Sequence, residues 1–246
     1  MSSTCENVFG VGSDLCKVAH NYCERGLSDA LNGEPLNAIT NAAFLVAAWA
    51  AWRLLKKNPD AQPRGLIRLL IATLAIIGLG SFLFHTVATG WAEWGDVYPI
   101  LAFLVLYLWI VLTYLLEMRL IERLVALALV FVPAYFAEAV SRGHADESDP
   151  IVKALWSGAL YVPIVIALVV LGLALLQRRP QAGNALFAAT AVWLISLTVR
   201  TLDMQLCPSF PFGTHFVWHM INAIVLFLFT RIVILYSGPS SRRAAS

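Results

Sequence analysis

Seven apolar stretches, each about as long as a helix that crosses a bilayer, constrain the fold of this 246-residue chain more than any other feature. A spanning helix needs about 20 mostly apolar residues. Hydrophobic residues make up 59% of the chain and charged residues only 13%, which is too apolar for a soluble domain. The sequence therefore predicts an all-α polytopic membrane protein built as a seven-transmembrane helix bundle. The stretches are residues 36–55, 66–84, 97–116, 124–140, 154–175, 185–202 and 215–236.

Three regions follow from this pattern. Residues 1–35 are expected to form an extramembrane segment, and residues 36–236 the bundle. Residues 237–246 are rich in Ser, Ala and Arg and are expected to be a disordered tail.

Basic residues give the bundle an orientation. Of the 17 Lys and Arg residues, 12 lie after odd-numbered spans, beside them or in the C-terminal tail. Cytoplasmic segments of membrane proteins carry the excess of Lys and Arg. We therefore expect the N-terminus outside and the C-terminus in the cytoplasm. No contiguous basic stripe exists beyond this asymmetry, which argues against nucleic acid as a partner.

All four cysteines fall on the outer side in this topology, where an oxidising compartment permits disulfides. They are Cys5, Cys16, Cys23 and Cys207. Four cysteines allow three pairings, and the sequence does not choose among them.

Three histidines lie at one depth in the predicted bundle. His215 and His219 are four residues apart and so share a helix face, while His85 ends the second span. His85 follows Arg68 by 17 residues and His215 precedes Arg231 by 16, so each lies roughly 25 Å from its cytoplasmic anchor at about 1.5 Å per residue. Three imidazoles at one level predict an open zinc site.

Two further polar residues accompany the histidines. Ser81 lies one turn before His85 on the same face, and Asp96 is expected at the outer start of span three. Ionisable residues at membrane depth are costly and usually mark function. Arg200 and Asp203, three residues apart, are interpreted instead as structural, either as an interfacial helix cap or as an ion pair.

The order Ser81-x3-His85-x10-Asp96, followed far downstream by His215-x3-His219, resembles the alkaline ceramidase family of seven-span membrane hydrolases. The resemblance covers nearly the whole chain. It is carried by the stretches 22–25, 34–41, 80–85 and 213–219.

The resemblance implies roles for these five residues. His85, His215 and His219 would bind zinc, Asp96 would order the attacking water and handle its proton, and Ser81 would help to hold the site. The implied reaction is hydrolysis of the amide bond of ceramide, or of a related membrane lipid, to a fatty acid and a sphingoid-type amine. The lipid substrate would arrive from the bilayer.

Eukaryotic relatives hold a calcium ion in the N-terminal acidic stretch, and the matching residues here are Glu24, Glu34 and Asn21. The match is partial, because Arg25 and Gly26 replace residues that would supply oxygen ligands. Fewer carboxylates weaken the binding of a hard cation. A calcium site is therefore one expectation to be tested.

The resemblance also favours a disulfide between Cys23 and Cys207, and says nothing about Cys5 and Cys16. Compact loops and a high alanine content suggest a bacterial protein. The expected location is then the inner membrane, with the active site toward the periplasm.

Two alternatives remain open from the sequence. Progestin and adiponectin receptors share a similar Ser, His, Asp, His, His order, so a lipid receptor with a structural zinc site is one of them. Those receptors place the N-terminus inside, opposite to the orientation expected here. A haem-binding electron carrier is the other, although histidines on adjacent turns converge on a small ion better than they bracket a macrocycle. The oligomeric state and the acyl-chain length stay undetermined.

Overall fold

The computed structural model of the protein describes residues 2–9, 13–143, 152 and 159–238. Most of these residues are helical. A 3₁₀ turn covers Asp14–Cys16 and a π-helical turn covers Val111–Leu115. The α-helices are α1 (Ser2–Phe9), α2 (Pro35–Thr40), α3 (Ala42–Lys57), α4 (Arg64–Val87), α5 (Gly90–Ile110), α6 (Leu120–Gly143), α7 (Tyr161–Arg178), α8 (Pro180–Thr201), α9 (Asp203–Leu206) and α10 (His215–Tyr236).

The seven predicted spans are confirmed within the described part of the chain, where seven helical segments are long and apolar enough to cross a membrane. Helices α2 and α3 together form the first of them. The third begins at Gly90 rather than at residue 97, because Trp91, Glu93 and Trp94 interrupt the apolar pattern without ending the helix. Asp96 therefore lies inside α5 and not at its start. The expected beginning of the fifth span, at residue 154, lies outside the described residues.

Helix α10 occupies the centre of the bundle and α6 its edge. Of the most apolar part of each span, 61% is buried in α10 but only 11% in α6. Helix α10 contacts α2, α3, α4, α5 and α8. Side chains that must reach a common point in the interior are therefore best placed on α10.

Small residues bring the inner helices close together. Ala47, Ala48 and Ala51 bury one face of α3. At Gly80 of α4, a Cβ atom would lie 1.9 Å from the carbonyl oxygen of Gly95 in α5. Membrane helices associate largely by such close packing, because lipid is as apolar as their side chains. The residue pair Gly80 and Gly95 thus brings the backbones of α4 and α5 into contact.

The segment 13–34 docks on one end of the bundle, across the loop between α4 and α5. Val18 forms an isolated antiparallel bridge with Thr89. The N–H of Ala19 donates to the carbonyl of Ala88 at 2.7 Å, and the N–H of Asn32 donates to that of Thr86 at 3.1 Å. The last turn of α4 lies at this end of the bundle.

The opposite end of the bundle carries the C-terminus of α10. Ser237, the first residue of the expected disordered tail, is buried and its hydroxyl donates to the carbonyl of Val233 at 2.6 Å. Residues 239–246 lie outside the described residues, so the disordered tail stays a prediction.

Candidate metal centre

Three histidines from two helices meet at the docked end of the bundle. His85 lies in the last turn of α4, and His215 and His219 lie in the first two turns of α10. One ring nitrogen of each lies within 4.8 Å of the others, and all three side chains are buried. The structure therefore brings together the residues that the sequence singled out, although they are remote along the chain.

Four ring nitrogens of this trio have no hydrogen-bond partner among the described residues. They are Nε2 of His85, Nε2 of His219 and both ring nitrogens of His215. A buried polar atom left unpaired costs about 1–3 kcal/mol. Neutral imidazole nitrogens converging in this way fit a metal ion, and three histidines with a free fourth position are the donor set of a catalytic zinc site.

Outer hydrogen bonds fix the rings of two of these histidines. Nδ1 of His85 donates to Oε2 of Glu34 at 2.5 Å, and Nδ1 of His219 lies 3.1 Å from the hydroxyl oxygen of Thr40. That hydroxyl donates its own proton to the carbonyl of Leu36 at 2.7 Å, so it accepts from the imidazole. Each of these two Nδ1 atoms therefore carries the proton, and each Nε2 is left free to bind a metal ion.

Glu34 remains ionised in this setting. Burial by itself raises the pKa of its carboxyl, but its interactions with His85, Arg25 and Asn37 outweigh burial and lower the pKa. The side-chain amide of Asn37 donates to Oε2 at 3.0 Å. Glu34 thus presents a carboxylate to a candidate metal ligand, a pairing that raises ligand basicity.

Ser81 and Asp96 lie next to each other beside the histidines, on α4 and α5. Both are buried, and Asp96 interacts electrostatically with His85 and Ser81. Neither the Ser81 hydroxyl oxygen nor Oδ1 of Asp96 has a hydrogen-bond partner of good geometry in the described part of the chain. The close approach at Gly80, one residue before Ser81, explains how α4 and α5 bring these groups together. Ser81 and Asp96 thus present a hydroxyl and a carboxyl group beside the histidines.

Aromatic rings enclose the trio. The ring of Tyr22, from the docked segment, lies 3.9 Å from the ring of His215 and 5.0 Å from that of His85, centroid to centroid. On α10 itself, Trp218 stacks on His215 at 4.8 Å. Such rings exclude water from the imidazoles. The spacing of the histidines in the sequence did not predict Tyr22 as a neighbour.

Asp203 holds the start of α10. Its Oδ1 accepts the backbone N–H groups of Thr214 and His215 at 2.7 and 2.8 Å, and its Oδ2 accepts that of Cys23 at 2.9 Å. Asp203 therefore acts as a helix cap, one of the two structural roles expected of it, and it forms no ion pair with Arg200 among the described residues. A carboxylate satisfies the free N–H groups at a helix N-terminus and interacts favourably with the helix dipole, and here it does so beside a candidate metal ligand.

Gly213 permits this arrangement. Its φ of +61° favours glycine, and a Cβ atom at this position would lie 2.1 Å from Oδ1 of Asp203. The same corner carries a disulfide between Cys23 and Cys207, and a second disulfide joins Cys5 and Cys16. The described cysteines are therefore all paired, and the Cys23 to Cys207 bond ties the docked segment to the loop before α10.

The three residues expected to bind calcium do not form a site. Both carboxylate oxygens of Glu24 accept backbone N–H groups, from Leu36 at 2.7 Å and from Asn37 at 2.8 Å, and so cap α2. Asn21 is exposed. In the described part of the chain, the three histidines form the only group of three or more His, Cys, Asp or Glu side chains close enough together to share a metal ion. The calcium expectation therefore lacks support, because the carboxylates have other partners.

Fold and site together define a class of protein: a polytopic membrane protein with a buried three-histidine site that fits a metal ion. A model of the family described as Ceramidase matches residues 17–244. The chain belongs to the ceramidase family, which makes it a lipid amide hydrolase. A comparison with curated proteins finds no match.

Family membership and geometry bear on both alternatives. The family is one of hydrolases, which disfavours a receptor. Haem iron takes its two axial ligands from opposite faces of the ring, so a third ligand atom within 4.8 Å of both others would fall in the space of the macrocycle, which disfavours a haem carrier.

Proposed function

We propose that the protein is a zinc-dependent amidase that cleaves ceramide, or a closely related lipid amide, into a fatty acid and a sphingoid-type amine. The observation that carries the proposal is the convergence of buried, unpaired nitrogens of His85, His215 and His219. Membership of the ceramidase family supplies the reaction class. Ser81 and Asp96 provide polar groups beside these nitrogens.

The chemistry divides between a metal and two side chains. Bound zinc would polarise the amide carbonyl and make water a nucleophile near neutral pH. Asp96 would accept a proton from the attacking water and return it to the leaving amine. Ser81 would donate its hydroxyl proton to the oxygen that becomes negative in the transition state. Glu34 and Thr40 keep two imidazoles in the tautomer that binds a metal.

The substrate is proposed to reach the site from the bilayer. Phe44, part of the main apolar core, borders the histidines on the side of the bundle, with its ring centroid 6.4 Å from that of His219. Tyr22 and Phe84 pack together on the side of the docked segment. The acyl chain would extend along the apolar side, and the polar head would face residues 24–37.

We further propose that this end of the bundle faces outward, toward the periplasm if the source is bacterial. The excess of Lys and Arg at the other end supports this orientation. Two disulfides lie in the docked segment and beside the site, and such bonds persist in oxidising compartments.

Zinc quantitation on the purified protein, followed by incubation with ceramides of several chain lengths, tests the proposal. Mass spectrometry would measure the released fatty acid. We expect about one zinc per chain and hydrolysis, with both lost in His219→Ala. The control is His20→Ala, because His20 is exposed and bonded only to Gly26 and Asp29 among the described residues. Hydrolysis by metal-free protein would refute the mechanism, and zinc binding without turnover would favour a receptor.

A further inference from the structure

The guanidinium group of Arg25 is buried in a shell of oxygen atoms at the docked end of the bundle. Its Nε donates to Oε1 of Glu34 at 2.6 Å. Nη1 donates to the carbonyls of Ser28 and Ala30 at 3.2 and 3.1 Å, and Nη2 donates to the carbonyl of His85 at 3.3 Å. The side chains of Arg25 and Glu34 are both 0% exposed.

These four oxygens come from two separate pieces of chain. Ser28, Ala30 and Glu34 belong to the docked segment, which ends directly before α2, and His85 belongs to the last turn of α4. One carboxylate with several backbone carbonyls is the ligand type that a hard divalent cation takes. Here a side-chain cation already occupies that position, and a buried charge of this kind is tolerated only when it is paired and hydrogen-bonded.

The position of the guanidinium links it to the metal centre by two routes. Oε1 of Glu34 accepts a hydrogen bond from Nε of Arg25, and Oε2 accepts one from Nδ1 of His85. Arg25 also holds the backbone carbonyl of His85 directly. Gly33 leaves room for the guanidinium, because a Cβ atom there would lie 2.9 Å from Nη1. Neither contact touches a reacting atom, so Arg25 would act by positioning a ligand.

We propose that Arg25 is a built-in cation that replaces a free divalent ion in this oxygen shell and positions His85 through Glu34. Only the positioning of His85 through Glu34 rests on the proposed zinc function. It follows that calcium is not needed at this place and that the charge of Arg25 helps to retain zinc.

The first test uses the full-length protein and calcium. Thermal unfolding is measured in calcium-depleted buffer and in millimolar calcium. We expect the same Tm in both, because the guanidinium fills the shell. A saturable rise in the Tm of the wild-type protein with calcium would overturn the proposal, since an ion that binds only the folded protein stabilises it.

The second test measures the release of zinc into a chromophoric chelator. Replacing an outer-shell partner typically costs 10–100-fold in metal affinity, so Arg25→Gln is expected to release zinc at least about tenfold faster than wild type. Arg25→Lys, which keeps the charge, should recover part of this loss. The matched control is Arg64→Gln, because Arg64 also donates to backbone carbonyls, those of Asn58 and Pro59, at the far end of the bundle.

The outcomes separate this inference from the proposed function. If wild type binds zinc and hydrolyses ceramide while Arg25→Gln releases zinc at the wild-type rate, the inference alone is overturned. If Arg25→Lys is no better than Arg25→Gln, the charge is not what matters and the inference is also overturned. If wild type binds no zinc, the proposed function falls, and the calcium test still decides whether Arg25 fills the shell. If Arg25→Gln fails to fold, the rate of zinc release from Arg25→Lys is compared with that from the wild-type protein.

Discussion

Replacing Asp203 by alanine should weaken both the fold and the metal site. The carboxylate is buried and accepts three backbone N–H groups, from Cys23, Thr214 and His215, at 2.7–2.9 Å. Alanine removes all three acceptors and leaves the donors without a partner from this side chain. Because His215 is the first residue of α10, the loss falls on a proposed zinc ligand.

The size of the effect follows from these three bonds. A hydrogen bond to a charged group contributes about 1.5–3 kcal/mol, and loss of a helix cap costs about 1 kcal/mol. Neighbouring bonds are not additive, so we expect about 3–5 kcal/mol for Asp203→Ala. That is at the upper end of single-substitution effects. Zinc affinity should fall by about tenfold or more, as for other outer-shell partners.

Thermal unfolding and zinc content of the purified variant would measure the two effects. For a chain of this size, 1 kcal/mol corresponds to a Tm shift of about 2–4 °C, so the expected decrease is about 10 °C. The control is Asp29→Ala, because the Asp29 side chain is 80% exposed and pairs only with His20 among the described residues. If Asp203→Ala unfolds within about 1 °C of Asp29→Ala and retains its zinc, the assigned role of this carboxylate is wrong.

Three further predictions concern the centre of the site. Asp96→Asn should retain most zinc but lose at least about 100-fold in turnover, the usual range for a general acid-base group, and unchanged turnover would exclude that role. Gly80→Ala should destabilise the protein, because its Cβ would lie 1.9 Å from a carbonyl oxygen of α5, whereas Gly65→Ala meets nothing within 4 Å and should not; equal melting temperatures would contradict the packing. Thr40→Val removes the hydrogen-bond partner of His219 Nδ1 and should speed zinc release without abolishing binding; an unchanged release rate would contradict this.

The spans and the histidine trio could be predicted because both follow from local rules. About 20 apolar residues define a span, and a fixed rise per residue places His85 and His215 at one depth. The start of α5 was misplaced because Trp91 and Glu93 reduce apolarity while helix formation continues. Length and periodicity therefore predict which elements exist better than they predict where each one ends.

The surroundings of the trio depend on contacts between distant parts of the chain. Glu34, Thr40 and Asp203 act on residues far along the sequence, and no periodicity relates these positions. A local signal existed for α2, where Glu34, Asn37 and Asn41 lie on one face of an otherwise apolar span. The calcium expectation lacks support because Glu24 caps α2 and Glu34 bonds to Arg25 and His85. Counting carboxylates along the sequence does not reveal these partners.

The docking of residues 13–34 against α4 and α10 has a consequence for how the protein is made. A ribosome synthesises His85 long before His215, and Tyr22 earlier still. At about 5–20 residues per second, the growing chain waits on the order of ten seconds between the first candidate metal ligand and the second. The three histidines can therefore come together only after α10 has been synthesised, and a chain released before α10 would have neither the full ligand set nor a closed site.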